Sequence, residues 1–285
     1  MSDSCAEILA RYGAGTISSA TALMEMLIAC EDVDEVSKIV SAANLPPLAA
    51  LLRENQAGCA RIAAMLASGV DSPEPARSPE EGVAFCRRLF DWSVQQSEEA
   101  SVALYSLGSP EILARATDEI VELLETWRVI DEERAVLQIG CGIGRLERAL
   151  SPRVKEAHGI DVSPKMIEAA ERRCRGLANV TLAVCSGYDL SAFPDARFDL
   201  VYAVDSFPYL VQSGMDLVRR HFHEAARVLR PRGDFVILNF SYRGHEVDRA
   251  DVARLAAESG FDVRVSGALP FALWQGAAFH LVRAR

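Results

Sequence analysis

A glycine-rich turn between a buried strand and a helix is the feature of this sequence that points most directly to chemistry. Three glycines at alternate positions, Gly140, Gly142 and Gly144, follow the apolar run 136–139. Glycine allows a tight turn and a close approach of the backbone to a ligand, because it has no Cβ atom. The helix that follows directs free N–H groups and the positive end of its dipole at that ligand. The pattern predicts a cofactor-binding loop.

The residues around the loop distinguish three kinds of cofactor. A phosphate loop of the Walker type needs Lys and then Ser or Thr after its last glycine, whereas Arg145 and Leu146 stand there. A dinucleotide fingerprint has Gly or Ala at position 145, where arginine is too bulky for close helix–strand packing. The remaining GxGxG pattern suits a nucleoside that carries an amino acid. Asp161 lies about twenty residues further on, where a carboxylate can accept both ribose hydroxyls of any nucleoside cofactor.

Two regions with different hydrophobic periods must position this loop. Residues 1 to about 130 show helical spacing, whereas short apolar runs alternate with helical segments from residue 135 onward. In the first region we predict helices over 17–28, 33–43, 80–104 and 110–128, another that begins at Pro46, and a linker over 71–79. In the second we predict strands over 135–139, 156–161, 180–185, 198–204, 233–240, 261–267 and 277–283, and helices over 144–151, 164–175, 214–230 and 247–258.

Alternating strands and helices imply a mostly parallel sheet that is covered on both faces. The last two strands are separated only by the short segment 270–276, so they should pair antiparallel. We therefore predict an α/β fold with a seven-stranded sheet and an all-α N-terminal region. The expected divisions are a helical domain over 1–79, a helical connection that packs on the sheet domain over 80–130, and the sheet domain over 131–285.

The composition restricts the classes of partner. The chain has 285 residues, half of them apolar, and a net charge of -10, which argues against nucleic acid as the main partner. Its seven cysteines are scattered without a CxxC pair, which favours buried thiols in a reducing compartment. No metal site is expected, because His221 and His223 point to different faces of a predicted helix. No apolar run could cross a membrane or form a signal peptide, so we expect a soluble cytoplasmic protein.

Five segments in order resemble the class I S-adenosylmethionine-dependent methyltransferases, especially the ubiquinone/menaquinone-biosynthesis-like branch that acts on small molecules. They are 136–145, 159–170, 185–207, 224–237 and the terminal strand pair. The resemblance implies a Rossmann-like fold and S-adenosyl-L-methionine as cofactor, with S-adenosyl-L-homocysteine as product. It also implies in-line transfer of a methyl group to a small organic metabolite.

The resemblance assigns the cofactor contacts to the glycine loop, the ends of the next strands and a lid residue. These positions are Gly140, Cys141, Gly142, Gly144, Gln138, Asp161, Val162, Ser186, Gly187, Val204 and, as the lid, Tyr105. Two of them depart from the family, since Gln138 replaces an Asp or Glu and Ser186 replaces an Asp. Both keep hydrogen-bonding capacity and lose the negative charge, which predicts weaker cofactor binding.

The resemblance also places the reacting groups after the fourth and fifth strands. Asp205 is the first candidate for a general base or substrate anchor, with a loop-capping aspartate as the alternative. His245 is a second candidate base, with a solvent-exposed histidine as the alternative. Phe207, Tyr209 and Tyr242 are expected to wall the substrate pocket, although the first two could instead pack in the core.

The substrate class follows from the loop after the fourth strand. Residues 205–208 read Asp-Ser-Phe-Pro, which lacks the signatures of amino methylation of adenine or glutamine and of cytosine C5 methylation. We therefore expect a small-molecule substrate and no nucleic acid or membrane partner. The helices of 1–79 should roof the active site or form a homodimer. A non-catalytic adenosylmethionine-binding protein and a protein or RNA methyltransferase remain the alternative functions.

Overall fold

The computed structural model describes residues 3–70, 76, 78–241 and 243–285, which form two compact units. Unit 1 comprises 1–73, 92–119 and 271–275, and unit 2 comprises 74–91, 120–270 and 276–285. The chain therefore passes between the units several times. The predicted linker 71–79 lies largely outside the described residues.

The N-terminal half of the chain is helical, as predicted. Its helices are α1 (Asp3–Gly13), α2 (Ser19–Cys30), α3 (Val33–Ala42), α4 (Pro46–Glu54), α5 (Gln56–Ala67), α6 (Pro79–Gln96), α7 (Glu98–Val102) and α8 (Pro110–Thr126). Within unit 1, α2 buries Leu23, Met26 and Leu27 completely. The Ser18 hydroxyl caps this helix by accepting from Thr21 N–H at 3.0 Å.

Two predicted helices are each interrupted by one polar residue. The helix predicted from Pro46 is divided at Asn55, whose backbone leaves helical geometry and whose amide donates to Leu51 O at 2.9 Å. The helix predicted over 80–104 ends at Ser97, where the hydroxyl accepts from Ala100 N–H at 3.2 Å and starts α7. Both side chains offer the backbone an alternative hydrogen bond, which ends the helix. Helix α1 was not predicted.

In the described part of unit 2, the strands form one seven-stranded sheet in the order β3-β2-β1-β4-β5-β7-β6. The strands are β1 (Ala135–Ile139), β2 (Glu156–Asp161), β3 (Val180–Val184), β4 (Phe198–Val204), β5 (Leu229–Asn239), β6 (Phe261–Ala268) and β7 (Ala277–Arg283). The first five pair in parallel, and β7 runs antiparallel to both β5 and β6. This topology confirms the predicted fold class and its antiparallel C-terminal pair.

The helices that follow the strands of unit 2 cover both faces of its sheet. They are α9 (Arg145–Leu150), α10 (Pro164–Arg173), α11 (Phe207–Ser213), α12 (Met215–Val228) and α13 (His245–Ser259), of which α11 was not predicted. Within the described residues, no helix combines the length and the apolar character that a bilayer crossing requires.

One face of the sheet carries an aromatic core. Phe222 of α12 lies at its centre, with ring centroids 5.3 Å from Phe235 and 5.8 Å from Phe207. Strand β1 contributes Leu137 to this core. Because side chains alternate along a strand, Gln138 points to the opposite face. The face opposite the aromatic core is therefore the one that lies beneath α9.

Replacing Phe222 by alanine should lower the free energy of unfolding by about 3–5 kcal/mol, because it removes a fully buried ring and leaves a cavity. Urea unfolding measures the loss. The control is Leu269→Ala, at a side chain 57% exposed, which should change stability by less than about 0.5 kcal/mol. Equal effects of the two substitutions would contradict this assignment of the core.

Candidate active site

Two positions of the glycine loop have no space for a side chain. Gly140 and Gly144 have φ of 73° and 72°, in the left-handed region. A Cβ at Gly140 would lie 2.6 Å from the Cβ of Ser206, and one at Gly144 would lie 2.9 Å from the Cβ of Ala170. The loop is thus pressed between the end of β4 and helix α10.

Asp161 at the end of β2 holds this loop. Its two carboxylate oxygens accept from Gly142 N–H at 3.0 Å and from Ser163 N–H at 2.9 Å. Burial raises the pKa of Asp161 to about 6, although the backbone donors act against that shift. The Val162 N–H is a third backbone donor to this carboxyl group, so its two oxygens together keep one lone pair for a further donor such as a ribose hydroxyl.

Gln138 lies on the sheet face beneath the loop and is 3% exposed. Its amide nitrogen donates to Gly140 O at 3.4 Å, which is a long hydrogen bond. Within the described residues, its amide oxygen has no hydrogen-bond partner. Gln138 therefore supports the loop, as the sequence suggested, but without a charge and through a weak contact.

The turn after β4 is fixed to both neighbouring strands. Asp205 has φ of 53°, an uncommon backbone conformation for a residue with a side chain. Its carboxylate accepts from Phe240 N–H at 3.0 Å, and burial raises its pKa to about 7. The Ser206 hydroxyl donates to Ile139 O at 2.8 Å. Asp205 therefore caps the end of β5 and also has a pKa suited to proton transfer near neutral pH.

The turn after β3 contains the predicted adenine-side residues. The Ser186 hydroxyl accepts from Tyr188 N–H at 3.2 Å within its own turn. Gly187 has φ of 80°, and a Cβ there would lie 2.7 Å from the Cγ1 of Val162 and 3.0 Å from that of Val83. Val162 and Gly187 are thus neighbours, and α6 reaches the same place.

One stripe of α6 binds the ends of β2 and β3. Val83, Arg87 and Asp91 recur at helical spacing and share one side of the helix. The Arg87 guanidinium donates to Val162 O at 3.0 Å. The Asp91 carboxylate accepts from the Ser163 hydroxyl at 2.6 Å and from Lys165 N–H at 3.1 Å, so it helps cap α10.

The adjacent stripe of α6 contacts helix α11, which follows β4. A Cβ at Gly82 would lie 2.5 Å from the Cβ of Ser213, and the ring of Phe90 meets Tyr209 edge-on at 4.9 Å. Because β1 lies between β2 and β4, residues 79–91 cross the sheet edge from one side of the glycine loop to the other. We name residues 79–91 the cover segment. The site-facing side chains of this segment were not predicted, because their spacing of four residues indicates a helix and not what that helix faces.

The remaining predicted site residues do not all lie at the glycine loop. Val204 and Phe207 are buried, whereas His245 is exposed as the first residue of α13. Tyr105 is buried in unit 1, where its ring stacks on Trp274 with centroids 5.4 Å apart. Tyr242 lies outside the described residues. Tyr105 and Tyr242 therefore stay predictions.

Cys141 is buried within the loop, and burial raises the pKa of its thiol well above the usual range. Such a thiol is a poor nucleophile, so Cys141 acts as a small residue of the loop and not as a reactive group. His221 is buried with its Nδ1 2.9 Å from Leu217 O, whereas His223 is exposed. Among the described residues, no group of His, Cys, Asp or Glu side chains has an arrangement that could hold a metal ion.

A small, half-open cleft with about 50 Å³ of internal space lies beside the turn after β4 and the end of β5. Phe207, Val211 and Phe240 contribute to a largely apolar lining, and Arg243 and Asp251 are also among its lining residues. Arg243 and Asp251 form an ion pair. The cleft therefore combines an apolar wall with one ion pair in its lining.

Comparison with known proteins finds similarity to methyltransferases over part of the chain. Residues 137–237 match the model of a family described as a methyltransferase domain. The chain is 34% identical over 107 residues to the demethylmenaquinone methyltransferase of Tropheryma whipplei. That match covers 38% of this chain and 42% of the relative, so the chain spans less than half of that protein.

Two solved structures show the same fold. Phosphoethanolamine N-methyltransferase 1 of Haemonchus contortus gives a TM-score of 0.60 at 15% identity, over 73% of this chain and 50% of that chain. Magnesium protoporphyrin IX methyltransferase of Synechocystis PCC 6803 gives 0.54 at 17% identity, over 74% of this chain and 100% of that chain. At such identities the likeness establishes the fold alone.

The raised pKa of Asp205 predicts a pH dependence of stability. The folded state keeps this proton up to about pH 7, whereas the unfolded chain releases it near its ordinary pKa of about 3.9. The folded state thus binds more protons in that window, and the contribution of Asp205 to stability falls as pH rises. Asp205→Asn should gain at least about 1 kcal/mol relative to the wild type between pH 5 and pH 8.

Urea unfolding of both proteins at the two pH values measures this gain. Since both carry the same histidines, the titration of His221 cancels in the comparison. A difference between the proteins that does not change with pH would contradict the prediction.

Proposed function

We propose that the chain is a class I S-adenosylmethionine-dependent methyltransferase, which transfers a methyl group from this cofactor to a small organic molecule. The observation that carries the proposal is the glycine loop, whose Gly142 N–H is held by Asp161 at 3.0 Å. This contact joins the glycine loop, which would bind the amino-acid part of the cofactor, to the end of β2, which would bind its ribose. The match of residues 137–237 to the methyltransferase domain supports it.

The residues at this sheet edge fit the cofactor. Gly140 and Gly144 have no room for a Cβ and present bare backbone to the amino-acid part. Beyond its three backbone donors, Asp161 keeps one lone pair for a ribose hydroxyl. Val162 and Gly187, which are in contact with each other, would flank the adenine ring. When bound, S-adenosylmethionine supplies a methyl group on a cationic sulfur.

The chain's own residues would align the reactants and exclude water. The cover segment is fixed to the ends of β2 and β3 and to α11, so it lies over the region between them. Such cover shields the reaction from solvent and fixes the approach of the acceptor. Methyl transfer by in-line displacement needs no covalent intermediate with the protein, which accords with the absence of a predicted nucleophile.

Asp205 is the proposed general base or substrate anchor. One of its oxygens accepts from Phe240 N–H, which fixes the orientation of the carboxyl group. With a pKa of about 7, it is partly ionised at neutral pH and can accept a proton from an acceptor atom. His245, exposed on α13, is the second candidate.

The acceptor is proposed to be a small organic molecule with an apolar part. Two residues that line the cleft connect it to Asp205. Phe207 follows Asp205 by two positions in the chain, and Phe240 donates its N–H to the Asp205 carboxylate. Its apolar lining would stabilise a ring or chain by burial. For residues 1–79 we keep two roles, a roof for the acceptor or a homodimer contact, and light scattering of the purified chain would test the second.

Titration calorimetry tests the cofactor assignment. The wild-type chain should bind both S-adenosylmethionine and S-adenosylhomocysteine, and Asp161→Ala should weaken both by at least about tenfold, because charged hydrogen bonds to the ribose are lost. Asp262→Ala, at an exposed aspartate on β6, is the matched control and should bind like the wild type. Failure of the wild type to bind either compound at millimolar concentration would contradict the proposed function.

Transfer of a labelled methyl group from the cofactor into a small-molecule extract tests catalysis. Label should enter an organic-soluble product, and Asp205→Asn should slow its formation by about 10²-fold or more if the carboxylate removes a proton. Cofactor binding without transfer to any fraction would favour the non-catalytic alternative. Label in protein or RNA would favour a macromolecular substrate.

Filling the cleft should separate acceptor binding from cofactor binding. Val211→Trp places an indole in the apolar lining and should reduce methyl transfer at least tenfold, since the acceptor loses its pocket. Cofactor affinity should stay within about twofold. Val247→Trp is the matched control, because Val247 is 46% exposed. Undiminished transfer by Val211→Trp would show that the acceptor binds elsewhere.

A further inference from the structure

A group of buried polar atoms without partners lies beneath the glycine loop. It contains the amide oxygen of Gln138, both carboxyl oxygens of Glu147 and the hydroxyl of Tyr202. Within the described part of the chain, none of these atoms has a hydrogen-bond partner. The three residues are 3%, 0% and 0% exposed. Buried polar atoms without a hydrogen-bond partner destabilise the folded state and are rare in native proteins, so several of them in one place indicate a functional role.

These atoms belong to one site. In the parallel register, Gln138 of β1 lies opposite Gly159 of β2 on one side and Tyr202 of β4 on the other. The Oε1 of Glu147 is 2.8 Å from the position that a Cβ of Gly159 would take. The Cβ of Cys141 is also 2.8 Å from that position. The Glu147 carboxyl therefore fills the space that Gly159 leaves and packs against the loop from below.

The surroundings of Glu147 leave its charge poorly compensated. Burial raises its pKa to about 8, and Asp161 at the end of β2 adds to the shift, whereas the backbone amide of Glu147 itself and Arg145 on the same helix oppose it. The other titratable groups that interact with it are Cys141 in the loop, Cys174 after α10 and Tyr202 on β4. Arg145 is the cation that acts on the Glu147 carboxyl from the same helix. A further cation at the loop would favour the ionised carboxylate.

We infer that Glu147 is a positioning residue that holds a proton while the loop is empty and releases it to solvent when a cationic cofactor binds above it. This inference rests on the proposed function. Its carboxylate then supplies from α9 the negative charge that Gln138 lacks on β1. After transfer the sulfur is neutral, so Glu147 takes a proton back from solvent and the loop loses its preference for the ligand. Glu147 thereby selects the cofactor, which carries an additional positive charge on sulfur, over the product, which keeps only the two opposite charges of its amino-acid part.

Calorimetry on the full chain tests this charge selection. The dissociation constants of S-adenosylmethionine and S-adenosylhomocysteine are compared at pH 7. The binding enthalpies are measured in two buffers of different ionisation enthalpy, and their difference gives the number of protons released. The wild type should release more protons with the sulfonium compound than with the thioether. Glu147→Gln should abolish that difference and weaken only the sulfonium compound, by about tenfold, the effect of one lost charge interaction.

Two further variants separate charge from structure. Tyr202→Phe removes a polar atom of the same cluster without a charge and should preserve the ratio of the two affinities. Gln138→Glu combined with Glu147→Gln returns an acid to the cluster and should restore the preference for the sulfonium compound. In the wild type, the affinity for the sulfonium compound relative to the thioether should rise as the pH rises to about 8. In Glu147→Gln this relative affinity should not change with pH.

The outcomes distinguish this inference from the proposed function. A wild-type chain that binds neither compound contradicts the function itself. A wild type that binds both with equal proton release overturns the role of Glu147 alone, even if no variant folds. Equal weakening of both compounds by Glu147→Gln also overturns it, because a purely structural residue would act on both.

Discussion

The hydrogen bond from Gly142 N–H to the Asp161 carboxylate is the interaction on which the candidate site depends. Glycine backbones have more freedom than any other, so a loop of three glycines needs an external anchor to keep one conformation. The same carboxylate accepts from Ser163 N–H at 2.9 Å. Ser163 in turn donates its hydroxyl to Asp91 on the cover segment. One carboxylate thus connects the loop, helix α10 and the segment that crosses above them.

The other side of the loop is held by packing instead of charge. Ser206 occupies the space where Gly140 would carry a side chain and donates its hydroxyl to Ile139 O at 2.8 Å. Its neighbour Asp205 has positive φ and caps the end of β5. Strain of this kind persists only where the surroundings impose it, and it is common where a side chain must face a reaction. The β4 turn is therefore positioned by three strands at once.

The sheet and the loop could be predicted because their signals are local. Apolar runs, alternation with helices and the spacing of Gly140 to Asp161 are all readable along the chain. The cover segment could not be assigned in this way, since Val83 and Asp91 face the site only through tertiary packing with β2 and β3. Helix α11 was missed because seven residues are too few for a periodic signal. Asn55 and Ser97 ended helices through side-chain hydrogen bonds that apolar periodicity does not report.

The burial of Glu147 could not be predicted from the sequence for a different reason. Its position in the chain suggests an ordinary helix surface. Only the absence of a side chain at Gly159, on a separate strand, creates the space that buries it. The result is a sheet edge with three acids, Glu147, Asp161 and Asp205, whose pKa values are all raised by burial. Because burial favours their neutral forms, these acids add little charge to the empty site, and a positive ligand beside them would favour their ionisation. In the function proposed above, selection of a sulfonium over a phosphate would therefore come from this response as well as from the shape of the glycine loop.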